Sequence, residues 1–317
     1  MEHFENCVKL NSAHWKAWRN MAFGYAEKLL KPHKALKCMQ TALKLEPCNA
    51  RLLLEYQQLL KSQNASPEKR LCVYNEYNEL MMQRDDCILD KIILLSSIGE
   101  YKAAIDLAAS KRFHIYEGGE GKLTKQHAWM FVLYANSLLK SGDKAAAEKA
   151  YLGGVDVPKS YGEAKTYFNQ EAHIYYFLGR LYESENQEKQ AKSAYEKAAE
   201  YKAAVSEISM FRVLALKKLG NENEAAEVAN EMLETANGLI KNCDLRSYYG
   251  VGSPTPMPFE NDIERNNLTD GYVLKAYALK ALGKNSAAKK ALKSAEEINP
   301  FDFRIHAFRE VEPLISD

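Results

Sequence analysis

The sequence predicts an all-α chain, an α-α superhelix in which helix hairpins stack along a solenoid, and three observations predict it. Large apolar residues recur at intervals of three and four in paired stripes, each pair parted by a short polar or glycine-bearing turn. Small residues return beside the large ones, as Gly179 next to Leu178 and Ala191 before Tyr195, where two helix backbones can approach closely. Nineteen tyrosines stand beside sixteen glycines and nine prolines in 317 residues, a composition that suits ring-filled helix layers with punctuation confined to a few turns.

Taken in order, Phe4, Cys7 and Ser12 read as the second helix of a hairpin, so the chain is expected to open mid-repeat, as the carboxyl-terminal part of a longer protein. Trp18, Met21, Ala22 and Tyr25 then mark a first helix, and Ala35, Met39, Ala42 and Pro47 a second. A weaker unit follows over 50–82, with Leu53, Tyr56 and Leu60 on one stripe and Leu71, Tyr74 and Tyr77 on the other. The third unit uses Ile88, Ile92 and Leu95, then Ala104 and Ala108; the fourth uses Phe131, Tyr134, Ala135 and Leu138, then Ala147 and Tyr151. Gly99 and Gly142 each stand five residues before the first of those alanines, where a left-handed residue would end the preceding helix.

The clearest unit is the fifth, His173 to Ala203, with Tyr175, Leu178 and Tyr182 before the turn at Ser184–Asn186 and Ala191, Tyr195 and Ala198 after it. Its aromatic, small and alanine positions resemble the tetratricopeptide repeat, a two-helix unit of about 34 residues. The same resemblance covers most of the chain. The sixth unit carries Val213, Leu216, Gly220, Ala225 and Ala229; the seventh carries Tyr272, Ala276, Leu279, Gly283, Ala288, Leu292, Ala295 and Pro300. The remainder, Phe301 to Asp317, reads as a capping helix holding Ile305 and Phe308 over the last repeat. The expectation is a single tetratricopeptide-like solenoid over 1–317, of about six hairpins, beginning with half a repeat and ending with a cap.

Composition and motifs narrow the function. Lys and Arg total 43 against 42 Asp and Glu, a net charge of +1, so no overall field draws nucleic acid or an anionic membrane. No apolar run approaches the ~20 residues of a membrane helix, and MEHFENCVKL lacks the regions of a signal peptide. The six cysteines include no Cys-x-x-Cys and no His at ligand spacing, which leads to an expectation of reduced thiols, no metal and a cytoplasmic location. EGGEGK, Glu117 to Lys122, is not a phosphate loop: Tyr116 stands where the pattern needs its first glycine, and Leu123 where it needs Ser or Thr. It reads as a turn bridging two repeats. No nucleophile elbow and no His-Glu-x-x-His occurs, so neither catalysis nor a cofactor is expected.

Three connections exceed a turn: 113–124, 158–172 and 243–269, each joining the second helix of one unit to the first helix of the next. In stacked hairpins such connections emerge on one edge, so the inserts are expected to crowd there and to form a partner-binding surface. Its candidate residues are His114, Tyr116, Glu117, Glu120, Arg246, Tyr248, Tyr249, Phe259 and Arg265. The other reading is that these rings pack down on the helices beneath. Motif alignment also places Arg19, Phe23, Asn136, Lys140, His173, Tyr176, Arg180 and Tyr277 on the inner groove, a mixed aromatic and basic face for a peptide or helix. Self-packing within the superhelix is the alternative. Repeats that clamp a chaperone's terminal carboxylate carry Lys or Arg four residues before such an Asn; here Val132 precedes Asn136, so that clamp is missing.

The inserts RFHIYEGGEG and SYYGVGSPTPMPFENDIERNN are similar to stretches in the carboxyl-terminal repeat region of large bacterial proteins whose β-rich amino-terminal half is a domain of unknown function. That resemblance implies a bacterial multidomain protein and carries over no catalytic residue. The expected function is a non-catalytic scaffold for a protein or peptide partner, or for the protein's own amino-terminal domain. The alternative is the accessory half of a carbohydrate-active or other enzyme whose cleft that domain completes. The partner, the process and the oligomeric state are not legible in the sequence.

Overall fold

The computed structural model describes residues 1–114, 119–163, 171–200, 202–245, 259 and 262–315. Among them every regular element is helical, so the all-α superhelical class expected from the periodicity is the one observed. The chain divides into two compact units, one of 1–98 with 248–262 and one of 99–247 with 263–317.

Unit 1 holds α1 (Glu2–Leu10), α2 (Trp15–Glu27), α3 (Pro32–Leu45), α4 (Ala50–Ser62), α5 (Pro67–Glu76), the single turn α6 (Asn78–Met81) and α7 (Asp85–Ser97). Its helix starts follow local chemistry. Asn49 caps α4 by accepting from the Arg51 and Leu52 amides, Ser66 caps α5, and Pro32 and Pro67 open α3 and α5 where no amide is required. The α2–α3 hairpin closes over Met21, Ala22, Tyr25, Ala35, Met39 and Ala42, the residues its periodicity named.

The weak match over 50–82 has a physical cause. In α4 every residue from Leu52 to Leu60 is buried, including Glu55, Gln57 and Gln58, so the helix is wrapped on all sides rather than on one stripe. Glu55 and Gln57 are served by neighbours. Gln57 Nε2 donates to the Arg70 carbonyl at 3.0 Å, Arg70 Nε donates to Gln57 Oε1 at 3.1 Å, and the Arg70 guanidinium and the Tyr74 hydroxyl both reach Asp90. A hydrogen-bonded network thus stands where a tetratricopeptide-like stripe would place apolar side chains.

Unit 2 begins with α8 (Tyr101–Ala109), which packs on α9 (Lys122–Lys140). Hairpins follow in succession: α9 with α10 (Lys144–Val155), α11 (Ala172–Ser184) with α12 (Glu188–Ala199), α13 (Ser209–Lys218) with α14 (Glu222–Lys241), and α15 (Ile263–Ala281) with α16 (Asn285–Ile298). The first helices α9, α11, α13 and α15 pack in turn against one another and make an inner layer. Gly99 and Gly142 take φ of +85° and +88°, as their helix-ending positions require. Gly179 serves the close approach between α11 and α12: a Cβ there would lie 2.5 Å from the Tyr195 ring.

Two insert boundaries move. Lys122–Thr124 already belong to α9, and Ile263–Thr269, expected within the third connection, form the first turns of α15. The last helix, α17 (Phe303–Val311), packs on α15 and α16, with Phe308 edge-on to Tyr277 at 5.0 Å. It also packs on α9, a contact between opposite ends of unit 2 that periodicity could not foretell.

Candidate partner-binding surfaces

The inner layer of unit 2 is built from rings. Trp129 of α9, His173, Tyr176 and Phe177 of α11 and Phe211 of α13 interleave, with centroids 4.6 Å apart for Trp129–His173 and between 5.5 and 5.9 Å for Trp129–Phe211, His173–Phe211, Tyr176–Phe177, Tyr176–Phe211 and Phe177–Phe211. First helices at this spacing leave no water between them, so positions that motif alignment assigns to the groove are interior. His173 and Tyr277 are 0% exposed, and Asn136 and Tyr176 are 2% exposed. Asn136 accepts from the Tyr151 hydroxyl, and the Tyr277 hydroxyl donates to the Arg304 carbonyl at 2.8 Å. These four side chains hold the repeat stack together instead of facing a partner.

The other unit 2 groove residues grip the end of the chain. Lys140 Nζ pairs with Glu310 Oε2 at 2.8 Å, and Arg180 donates to the Leu314 carbonyl. Tyr101 and His306, 205 positions apart, share a hydrogen bond of 2.9 Å, and Phe303 meets Trp129 edge-on at 6.3 Å. Lys140, Arg180 and Tyr277 are therefore brought together by one occupant, residues 303–315. Sequence reading missed Tyr101, Trp129, Phe303, His306 and Glu310 as members of this set. A signal was present: α17 carries buried Ile305, Ala307, Phe308 and Val311 with Arg309 its one exposed residue, the pattern of a helix covered on more than one face.

In unit 1, Arg19 is engaged by its own chain. Its guanidinium meets both oxygens of the buried Glu55 carboxylate at 2.7 Å, while Arg51 adds a third contact at 3.0 Å. The pairing with Glu55 raises the Arg19 pKa above its ordinary value. Phe23 packs edge-on at 5.9 Å against Phe259, which is buried at 5% exposure with φ of +65°. Phe259 therefore follows the packing-down reading of the insert rings.

Two of the inserts meet. The Phe113 amide donates to the Ser160 carbonyl at 2.7 Å, and the Phe113 ring stands edge-on to Tyr161 at 5.7 Å. The Gly121 amide donates to Glu163 Oε2 at 2.9 Å, so a backbone N–H at the start of α9 is taken by the chain's own carboxylate. Beneath, His127 links the Tyr161 hydroxyl and the Gly153 carbonyl, each at 3.0 Å. Gly162 closes the seam with φ of +72°; a Cβ there would lie 2.8 Å from the Phe113 carbonyl oxygen. His114 and Glu120 are exposed on this edge, beside Arg112, Lys122 and Lys159. Arg265 lies within α15, half-buried, with a 3.3 Å contact to Asn299 Oδ1. Tyr116, Glu117, Arg246, Tyr248 and Tyr249 fall outside the described residues.

Burial raises the Cys87 and Cys38 thiols and keeps them protonated. Among the described residues no group of His, Cys, Asp and Glu is placed to hold a metal, and no helix is long and apolar enough to cross a membrane.

Residues 172–204 and 269–302 match the tetratricopeptide repeat family. Among solved structures the chain is similar to one described as "Structure of Naa15/Naa10 bound to HypK-THB", with 12% sequence identity and a TM-score of 0.40 over 98% of this chain and 62% of that chain. This chain thus spans less than two thirds of the length of the protein it matches there. The hairpins α11–α12 and α15–α16 are accordingly similar to the tetratricopeptide repeat, and the all-α stack around them is one that carries such repeats.

Proposed function

We propose that this chain is a non-catalytic scaffold for a protein or peptide partner, the remainder of a longer protein included, and that the partner seats on the edge of unit 2 where the first two inserts meet. The observation that carries this reading is the seam itself. Connections in stacked hairpins are ordinarily trimmed to a few residues, whereas these two are long and are fastened to each other through Phe113–Ser160 and Gly121–Glu163. A fastened loop pair presents its exposed side chains without the ordering cost that a floppy loop would incur on binding. The exposed His114 and Glu120, flanked by Arg112, Lys122 and Lys159, suit a polar rim of mixed sign. The inner face is meanwhile covered by residues 303–315. The near-zero net charge supports a protein partner over nucleic acid or membrane.

Photo-crosslinking side chains placed singly at His114 and Glu120, with one at exposed Lys192 as a control, test the assignment in the source cell. The expected result is a discrete protein adduct from the first two positions and none from Lys192. Absence of adducts at the edge, or equal labelling at all three, would refute it.

A further inference from the structure

We propose that the inner face of unit 2 is an exchangeable helix-binding groove, with α17 as its resident occupant. The partner that displaces α17 is an amphipathic helix bearing an aromatic and aliphatic face and acidic residues toward its carboxyl end.

The resident defines the ligand chemistry. Ile305, Ala307, Phe308 and Val311 are its buried face, and Glu310 and Glu312 are its carboxylates. The groove answers with bases: Lys140 at 2.8 Å from Glu310, Lys289 at 3.6 Å and Lys280 at 3.8 Å from Glu312, and Arg180 on the Leu314 carbonyl. Basic side chains facing the carboxyl-terminal turns of a helix also complement its dipole, so the groove sets the direction in which a helix enters.

Two observations mark α17 as replaceable. One of its polar links lies at an open position: the Lys140 and Glu310 side chains are 51% and 35% exposed. Such pairs contribute little and are screened by salt. Beside α17, the buried Trp129 Nε1 has no hydrogen-bond partner among the described residues. The α17 side chain that meets the Trp129 ring is Phe303, which carries no acceptor. The resident leaves an indole N–H unserved that an occupant with an acceptor in its first turn would satisfy. A nine-residue helix is also too short to persist on its own. Its advantage is the short tether Asn299–Asp302, which holds it at an effective concentration on the order of millimolar.

The test uses the full chain and a fluorescent peptide of the sequence 300–315, PFDFRIHAFREVEPLI. Glu310→Lys weakens the resident while leaving the groove and the added peptide unchanged, so peptide affinity should rise about three- to tenfold over the wild type. Adding Lys140→Glu to that variant restores the pair within the chain with its charges exchanged and repels the peptide, and affinity should fall back to the wild-type level or below. Equal affinity for wild type and Glu310→Lys, or no effect of the exchanged pair, would overturn the proposal. An independent reading comes from hydrogen exchange in the wild type. The amides of α17 should exchange at least about tenfold faster than those of α15, since exchange requires α17 to open alone. Equal protection of the two helices would show a fixed cap and overturn the proposal equally.

Discussion

Acid should loosen unit 2 through His173. Its ring is fully buried between Trp129 at 4.6 Å and Phe211 at 5.8 Å, and neither nitrogen has a hydrogen-bond partner among the described residues. Burial lowers its pKa to about 3; the Glu207 charge pulls it up, and Lys125 pushes it down. Unfolded, the ring titrates near 6.5. Between those values the unfolded chain binds a proton that the folded chain refuses, so the stability His173 contributes is complete above pH 6.5 and is lost as the pH falls toward 3. At pH 5 the loss is about 2 kcal/mol. His306, which burial also lowers, adds a smaller loss of the same sign under Glu310, Arg309 and Lys140. The His173→Phe variant isolates the larger one. The assay is urea unfolding at pH 7.5 and 5.0, read by the fluorescence of Trp129 in a background where Trp15 and Trp18, both in unit 1, are replaced by Phe. The wild type should lose about 2 kcal/mol more than the variant over that interval. Equal losses would refute the reasoning, because they would mean that His173 meets the proton as readily folded as unfolded.

Other substitutions probe the packing. Ala198→Arg, at a site with 0% exposure on α12, should cost more than about 3 kcal/mol and lower the melting temperature seen by circular dichroism, while exposed Glu196→Arg should stay within about 0.5 kcal/mol. Equal melting curves would contradict the helix register. Gly179→Ala should cost about 1–2 kcal/mol net, the clash with Tyr195 at 2.5 Å outweighing the gain in helix propensity; combined with Tyr195→Leu, the cost of the added methyl should shrink. Arg70→Met should destabilise unit 1 by about 3 kcal/mol, because Asp90 loses its counter-charge, keeping only the Tyr74 hydroxyl, and the buried Gln57 Oε1 loses its donor; a change below 0.5 kcal/mol or so would mean that water replaces the guanidinium.

Much of the repeat core was legible because it is local. Spacing within one hairpin decides which side chains meet, and Ala35, Met39, Ala147, Ala191, Ala198 and Ala288 are all at 5% exposure or below. The left-handed turns at Gly99 and Gly142 followed from the same spacing. The surfaces were less legible. Motif alignment says which way a residue points within its repeat, but whether that direction is wet depends on what another part of the chain lays over it. His173 and Tyr176 point inward and are covered by Trp129 and Phe211, and Tyr277 is covered by α17. Phe259 has the composition of an anchor, yet it lies against Phe23. The degenerate unit over 50–82 resisted reading because polar side chains do the work of apolar ones, and periodicity cannot distinguish a buried Gln57 from an exposed one.

The seam between the first two inserts changes what kind of object the α9–α10 hairpin is. In a plain array each repeat touches its neighbours alone, so a unit can be duplicated, deleted or exchanged at little cost to the rest. Here the loop that enters α9 and the loop that leaves α10 are tied together across 42 positions by Gly121 and Glu163, and again by Phe113 and Ser160. Lifting that hairpin out would break both ties, and inserting a copy would leave one loop of each tie without its mate. The chain's length is therefore locked at this repeat, and the packing of α17 on α9 holds the hairpins between them to a fixed number as well.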